Sequence, residues 1–291
     1  MIRSWLAREI AALLVLAFAG VGAVYGQSGK NLSLEQLRQK RSELARQPRR
    51  IIMNNDGCDV IYFPKKEKVT VEAFLAKRTT PLAGTQVGAI AFCPTSSGFS
   101  YFTHDTKVGT VLARSGDEFG IQPDSRNIAQ ELIDLGTDCF EAVLRFGHEH
   151  DMEVFWSMRM NDTHDASHHP DKPYYLFPPL KYEHPDWLVG DPIKRTPFGR
   201  WSSVDYARPE IRELAFRYIE EACRNYDLDG VELDFFRHLC YFKSTAMGGE
   251  AGDDEREMMT ELMRRVRTMT EEVGRERGRP ILVLMRVPDS V

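Results

Sequence analysis

Tyr226-Asp227-Leu228-Asp229-Gly230-Val231-Glu232-Leu233-Asp234-Phe235-Phe236-Arg237 is the stretch that decides the fold. Its centre, GVELDF, alternates apolar and acidic residues and predicts a strand. Upstream, Pro209 opens a helix whose Ile211, Leu214, Ala215, Tyr218, Ile219 and Ala222 share one stripe. Downstream, Met258, Leu262, Val266, Met269 and Val273 form a second helical stripe before the apolar run Ile281–Met285. Helix, strand, helix and strand therefore follow one another, which is the signature of βα units.

The same alternation extends toward the N-terminus. Ile51, Ile52 and Met53 end in Asn54-Asn55-Asp56-Gly57, a strand broken by turn chemistry. Thr70 is placed to cap a helix carrying Val71, Phe74 and Leu75, and Val87–Cys93 reads as a second strand closed by Pro94. Asp124 is expected to start a helix with Ile128, Leu132 and Ile133 aligned, closed by Gly136. Thr137 is expected to cap the next, with Phe140, Val143, Leu144 and Gly147 on one face. Glu153–Met158 is a third strand. No GxGxxG or P-loop pattern follows the first strand, so a nucleotide-binding doubly wound sheet has no support. Long loops after several strands suit an α/β chain of the (β/α)8 TIM-barrel type. Only five strands are counted, near residues 51, 88, 154, 231 and 282, where a closed barrel needs eight. The expectation is a barrel truncated after about five strands and incomplete at its C-terminus. The alternative is that short strands within 58–64, 99–112 or 176–204 complete the sheet.

The 291 residues are 28% charged and 42% hydrophobic, which excludes disorder, collagen and coiled coil as overall descriptions. A formal charge of −5 argues against a nucleic-acid binder that relies on a basic face. Residues 1–26 read as a signal peptide: Arg3 and Arg8 precede an uncharged run, Ile10–Val24, and Val24 and Gly26 offer a cut before Gln27. Secretion or export to a periplasm is expected, with no membrane partner after cleavage; an uncleaved anchor is the alternative. Residues 27–49 read as a polar leader with a weak amphipathic helix, and 50–291 as the barrel domain. The five cysteines show no CxxC pair and read as scattered buried thiols.

The chemistry centres on Glu232 and Asp234, which a strand points to the same side. Two carboxylates on a strand that should be apolar are costly unless that side is a cleft. Their mutual repulsion raises one pKa and divides the pair into an acid and a base or nucleophile. The alternative is a partly exposed edge strand with Glu232 paired to an arginine such as Arg159. YDLDGVELDFFR, preceded by VDYARPEIRELAFRYIEEA, resembles the glycoside-hydrolase-like barrel proteins grouped near family 10 hydrolases. Asp205, Pro209, Glu210, Ile211 and Arg212 match that group's D-x-x-x-P-E-[VI]-R phrase. The DG-x-x-x-D spacing is also similar to the fourth strand of the alpha-amylase superfamily, which places Asp234 at that superfamily's nucleophile position. Glu232 stands where amylases carry arginine. The resemblance implies a glycoside hydrolase acting on a polysaccharide or glycoconjugate, with Asp234 as nucleophile or base and Glu232 as acid or its orienter.

Further polar residues follow strands where a barrel presents them to substrate: Asn54, Asn55 and Asp56; Arg159, Asn161, Asp162 and His164; Arg237; and Arg286. His164, Asp165, His168 and His169 crowd one polar loop, read most simply as solvated. No cofactor or metal is expected, although a metal-dependent hydrolase using this loop is one alternative. Between 173 and 206 stand eight aromatic residues among six prolines, more than such a loop needs for packing. Trp187 and Trp201 are expected there as sugar platforms. A non-catalytic carbohydrate-binding barrel is the remaining alternative.

Overall fold

Strand and helix periodicities sort the chain largely as predicted. The computed structural model describes residues 32–289 except 95, 96 and 195. In chain order its elements are α1 (Leu34–Ala45), β1 (Ile52–Asn55), α2 (Cys58–Ile61), α3 (Val71–Leu75), β2 (Ala89–Phe92), α4 (Ala129–Asp134) and α5 (Cys139–Glu149). Then follow β3 (Glu153–Arg159), α6 (Pro179–Glu183), α7 (Pro209–Asn225), β4 (Gly230–Asp234), α8 (Lys243–Ala246), α9 (Asp253–Arg277) and β5 (Leu282–Arg286). The five strands form one parallel sheet in the order β1-β2-β3-β4-β5. They are the five runs read from the sequence. Among the described residues the sheet stays open, with β1 and β5 at its edges, so no closed barrel forms. Phe63–Pro64 with Ser125–Arg126, and Tyr101–Phe102 with Thr110–Val111, form separate two-residue ladders that do not extend it.

Period-two alternation gives the sheet two unlike faces. Ile90, Phe92, Val154, Trp156, Met158, Val231 and Leu233 join the main core with the stripes of α5, α7 and α9. Each fully buried side chain of this size contributes roughly 1.5–3 kcal/mol. Ala89, Ala91, Phe155 and Leu282 point the other way, into a small apolar patch reached by Leu44 of α1. Beside that patch, Gly230 lies opposite Phe155 in the ladder. A Cβ at 230 would meet Phe155 Cε1 at 2.5 Å and the Leu282 carbonyl at 2.6 Å, so glycine lets the ring lie flat across the strand.

Helix ends follow capping chemistry, with two corrections. Thr70 caps α3 by accepting the Ala73 N–H, as predicted. Asp138, not Thr137, caps α5, accepting from Phe140 and Glu141. α4 begins at Ala129 rather than at Asp124. The residues read as a polar leader carry α1, which closes its first turn through a Ser33–Gln36 capping box and buries Leu37. Arg38 and Arg41 both bond Glu271 of α9, tying α1 to the helical layer. None of the five cysteines is disulfide-bonded, and all but Cys58 are buried. The expected signal peptide, residues 1–26, lies outside the described residues. Among the described residues no helix is long and apolar enough to cross a membrane.

Candidate active site

Continuing along the face of Ala91, Phe155 and Gly230 toward the strands' C-terminal ends, the side chains become polar. Ladder register places Ser157 beside Glu232, and Arg159, Asp234 and Arg286 in one row. Glu232 is 7% exposed and Asp234 3%, so both carboxylates are withdrawn from bulk water. Glu232 Oε1 accepts from Ser157 Oγ at 2.7 Å and from Asn54 Nδ2 at 2.9 Å. Burial pushes the Glu232 carboxyl up; the Ser157 bond opposes this, and the neighbouring Asp234 charge adds to it. Asp234 Oδ1 accepts the Phe236 and Arg237 amides, and Oδ2 lies 3.4 Å from Arg286 Nη1. β4 is paired on both sides, by β3 and β5, which removes the edge-strand alternative, and Arg159 pairs with Asp162 rather than with Glu232.

Arg286 Nη1 also reaches Asn54 Oδ1 at 3.2 Å. This contact joins the two edge strands. Neighbouring strands lie roughly 4.8 Å apart, so a flat sheet would hold β1 and β5 about 19 Å from each other, beyond the joint reach of an asparagine and an arginine. The sheet is therefore curled into a trough with the carboxylates on its concave face.

Beside the trough lies a second cluster. Asp162 is 0% exposed and accepts from Arg159 Nη1 (2.9 Å), the Gly98 amide (3.2 Å), and the amide and ring of His164. Burial alone would raise its carboxyl, but the His164 ring and the Arg159 charge outweigh that and hold it well below the usual range. His164 Nδ1 must carry the proton it gives Asp162, so Nε2 accepts from Arg237 Nη2 at 3.1 Å. His238 packs edge-on against His164 with ring centroids 5.1 Å apart, and its Nδ1 accepts the Thr163 amide. Ligand atoms of Asp162, His164 and His238 lie within 4.8 Å of one another, the spacing of a metal site. Their chemistry does not fit one. Asp162 and the His164 ring already accept hydrogen bonds from the protein, His238 keeps only Nε2 for a ligand, and two guanidinium groups, Arg159 and Arg237, sit where a cation would be repelled.

Of the residues expected to contact substrate, the trough brings together Asn54, Glu232, Asp234 and Arg286, with His164 and Arg237 beside them. Others are corrected. Asn55 is buried on the opposite face and accepts the Gly57 amide, a turn contact. Asp56 accepts the Cys58 amide and pairs with Arg78. Asn161 spends its whole amide on the backbone of Val204 and Cys240, stapling three loops. Arg159 and Asp162 neutralise each other below the surface. Trp201 is 8% exposed, packed on Phe177, with Nε1 donating to the Ala166 carbonyl, so its ring is core rather than platform. Trp187 stacks on His184 at 3.7 Å within the long loop. The loop expected to be solvated is packed: Asp165 is fully buried against Lys181 Nζ at 2.5 Å, and His168 stacks on Phe177. Sequence reasoning missed Ser157 and His238. Ser157 was readable, because alternation from Arg159 puts it on the same face.

No family model matches the chain, and no curated protein matches it. Among solved structures it is similar to alpha-L-fucosidase isoenzyme 2 from Paenibacillus thiaminolyticus, at 15% identity and a TM-score of 0.46, over 80% of this chain and 32% of that one. It is similar to the galactosidase domain of an alpha-galactosidase-sucrose kinase, at 15% identity and a TM-score of 0.45, over 87% and 30%. A maltogenic alpha-amylase from Thermotoga neapolitana aligns at 17% identity and a TM-score of 0.42, over 82% and 46%. The chain thus spans from under a third to under half of these proteins.

Proposed function

We propose that the trough is the substrate cleft of a glycoside-hydrolase-like protein acting on a polysaccharide or glycoconjugate. One observation carries this reading: two buried carboxylates, Glu232 and Asp234, share one concave face in unlike surroundings. Glu232 is held by neutral donors, Ser157 and Asn54, and burial favours its protonated form, so it suits proton donation to a leaving oxygen. Asp234 faces the Arg286 guanidinium and suits stabilising or attacking the cationic sugar centre that develops. A panel of aryl glycosides of both anomeric configurations tests it. Any activity found should fall about a thousandfold, about 4 kcal/mol of barrier, in both Glu232→Gln and Asp234→Asn. Undiminished turnover in either variant would remove that residue from the chemistry.

A second reading, a non-catalytic carbohydrate-binding trough, has its own support. Both Asp234 oxygens already accept bonds, one from two amides and one from Arg286, leaving few lone pairs for a reaction. It expects oligosaccharide binding with no turnover of any glycoside, and binding that survives Asp234→Asn.

A further inference from the structure

Charges around the second cluster do not balance. Arg159 is matched by Asp162, and Arg286 by Asp234. Arg237 and Arg200 have no carboxylate partner among the described residues. Arg237 Nη2 gives one hydrogen bond to His164 Nε2, and Arg200 Nη1 one to the Thr163 carbonyl at 3.3 Å. Both sit close to His238. Burial pushes that ring down to about 4; Asp162 opposes the shift, while His164, Arg200 and Arg237 add to it. His238 is therefore neutral near pH 7. Because its Nδ1 accepts the Thr163 amide, its proton sits on Nε2, a donor with no protein acceptor among the described residues.

Next to this group lies a cavity of about 360 Å³ walled by Ala166, Ser167, Thr196, Gly199, Arg200 and Trp201. Thr196 Oγ1 is buried in its wall without a hydrogen-bond partner, and Thr163 Oγ1, on the residue that bonds both Arg200 and His238, is likewise buried and unpartnered. Unspent donors and uncompensated positive charge are what an oxyanion would satisfy. The group also adjoins the carboxylates, since the Arg237 amide bonds Asp234 Oδ1 at 3.0 Å while its side chain bonds His164.

We infer that Arg237, Arg200 and His238 form a subsite for the anionic group, a carboxylate or a sulfate, of an acidic sugar whose reacting bond lies over Glu232 and Asp234. The choice of a sugar rests on the glycoside-hydrolase reading; the oxyanion site does not. A guanidinium pair recognises carboxylate and sulfate alike, through paired N–H···O bonds.

The test has two arms. In the first, sulfate alone is titrated while the ring signals of His164 and His238 are followed by NMR. The expectation is a saturable shift with a midpoint on the order of 1 mM, abolished in the Arg200→Ala/Arg237→Ala double variant. Absence of a saturable shift, or an equal one in the double variant, overturns the inference. In the second arm, oligogalacturonate and oligoglucuronan are each compared with their carboxyl-reduced forms by calorimetry. The acidic forms should bind at least about tenfold more tightly, a preference the double variant loses. Equal affinity for the reduced forms would overturn the inference and leave the carbohydrate reading standing. Sulfate binding without any sugar binding would do the reverse, keeping the oxyanion site and overturning the choice of a sugar.

Discussion

At the scale of single residues, Glu232 and Trp201 show how environment decides role. The Glu232 carboxyl is raised above the ordinary glutamate value of 4.5, so the folded chain holds that proton where the unfolded chain has released it. Its contribution to stability is thus fully present below pH 4.5 and lost as pH rises through the folded value. Glu232→Gln removes this slope. Denaturant titrations should show the variant gaining on the parent as pH rises from 5 to 8, by about 1 kcal/mol at the upper end. A gap that is constant or runs the other way would mean that burial does not govern this carboxyl. The two tryptophans separate on the same measurement. Trp201→Ala should cost about 3–5 kcal/mol, as truncation of a buried ring does, whereas Trp187→Ala, partly buried at the edge of the core and stacked on His184, should cost less, about 1–2 kcal/mol.

At the scale of elements, α1 illustrates docking by charge on top of a modest apolar contact. Its exposed face is mostly polar, with Leu34 the one large apolar side chain there, and Leu37 is its one buried residue. Arg38 and Arg41 hold the Glu271 carboxyl down at about 2, chiefly through their hydrogen bonds. A depressed carboxyl stabilises the fold above its unfolded value of 4.5 and loses that contribution as pH falls toward 2. Arg38 is 55% exposed, so solvent screening limits the effect. Glu271→Gln should cost about 1 kcal/mol at pH 7, and thermal melts should show the cost shrinking as pH falls below 4. An undiminished cost at pH 2.5 would show that Glu271 acts through packing.

At the scale of the whole molecule, the curl of the sheet is the property on which the site depends. Asn54 on the first strand and Arg286 on the fifth meet on the concave face, and Asn54 also holds Glu232. A double-mutant cycle with Asn54→Ala and Arg286→Ala should therefore give a coupling energy of about 0.5–1 kcal/mol. Residues on opposite edges of a flat five-stranded sheet would add independently, so a coupling near zero would contradict the trough.

What the amino-acid sequence determined by itself was everything carried by local periodicity. All five strands, the amphipathic stripes of α5, α7 and α9, and the shared face of Glu232 and Asp234 follow from periods of 2 and 3.6, which need no partner to be read. Residue type alone, however, did not say which polar side chain would face a ligand. Asn54 and Asn55 are neighbours in sequence, yet one bonds Glu232 and the other caps a turn, because adjacent strand residues point to opposite faces. Asn161, Asp162 and Trp201 look as suitable for sugar binding as any others. Loops distant in sequence supply the backbone groups and rings that consume them, at Val204, Cys240, Gly98 and Phe177. Trough curvature and the uncompensated pair Arg200 and Arg237 likewise exist only once strands and loops far apart in the chain are packed. Hydrogen-bond and charge balance are sums over spatial neighbours, and a linear sequence does not contain those sums.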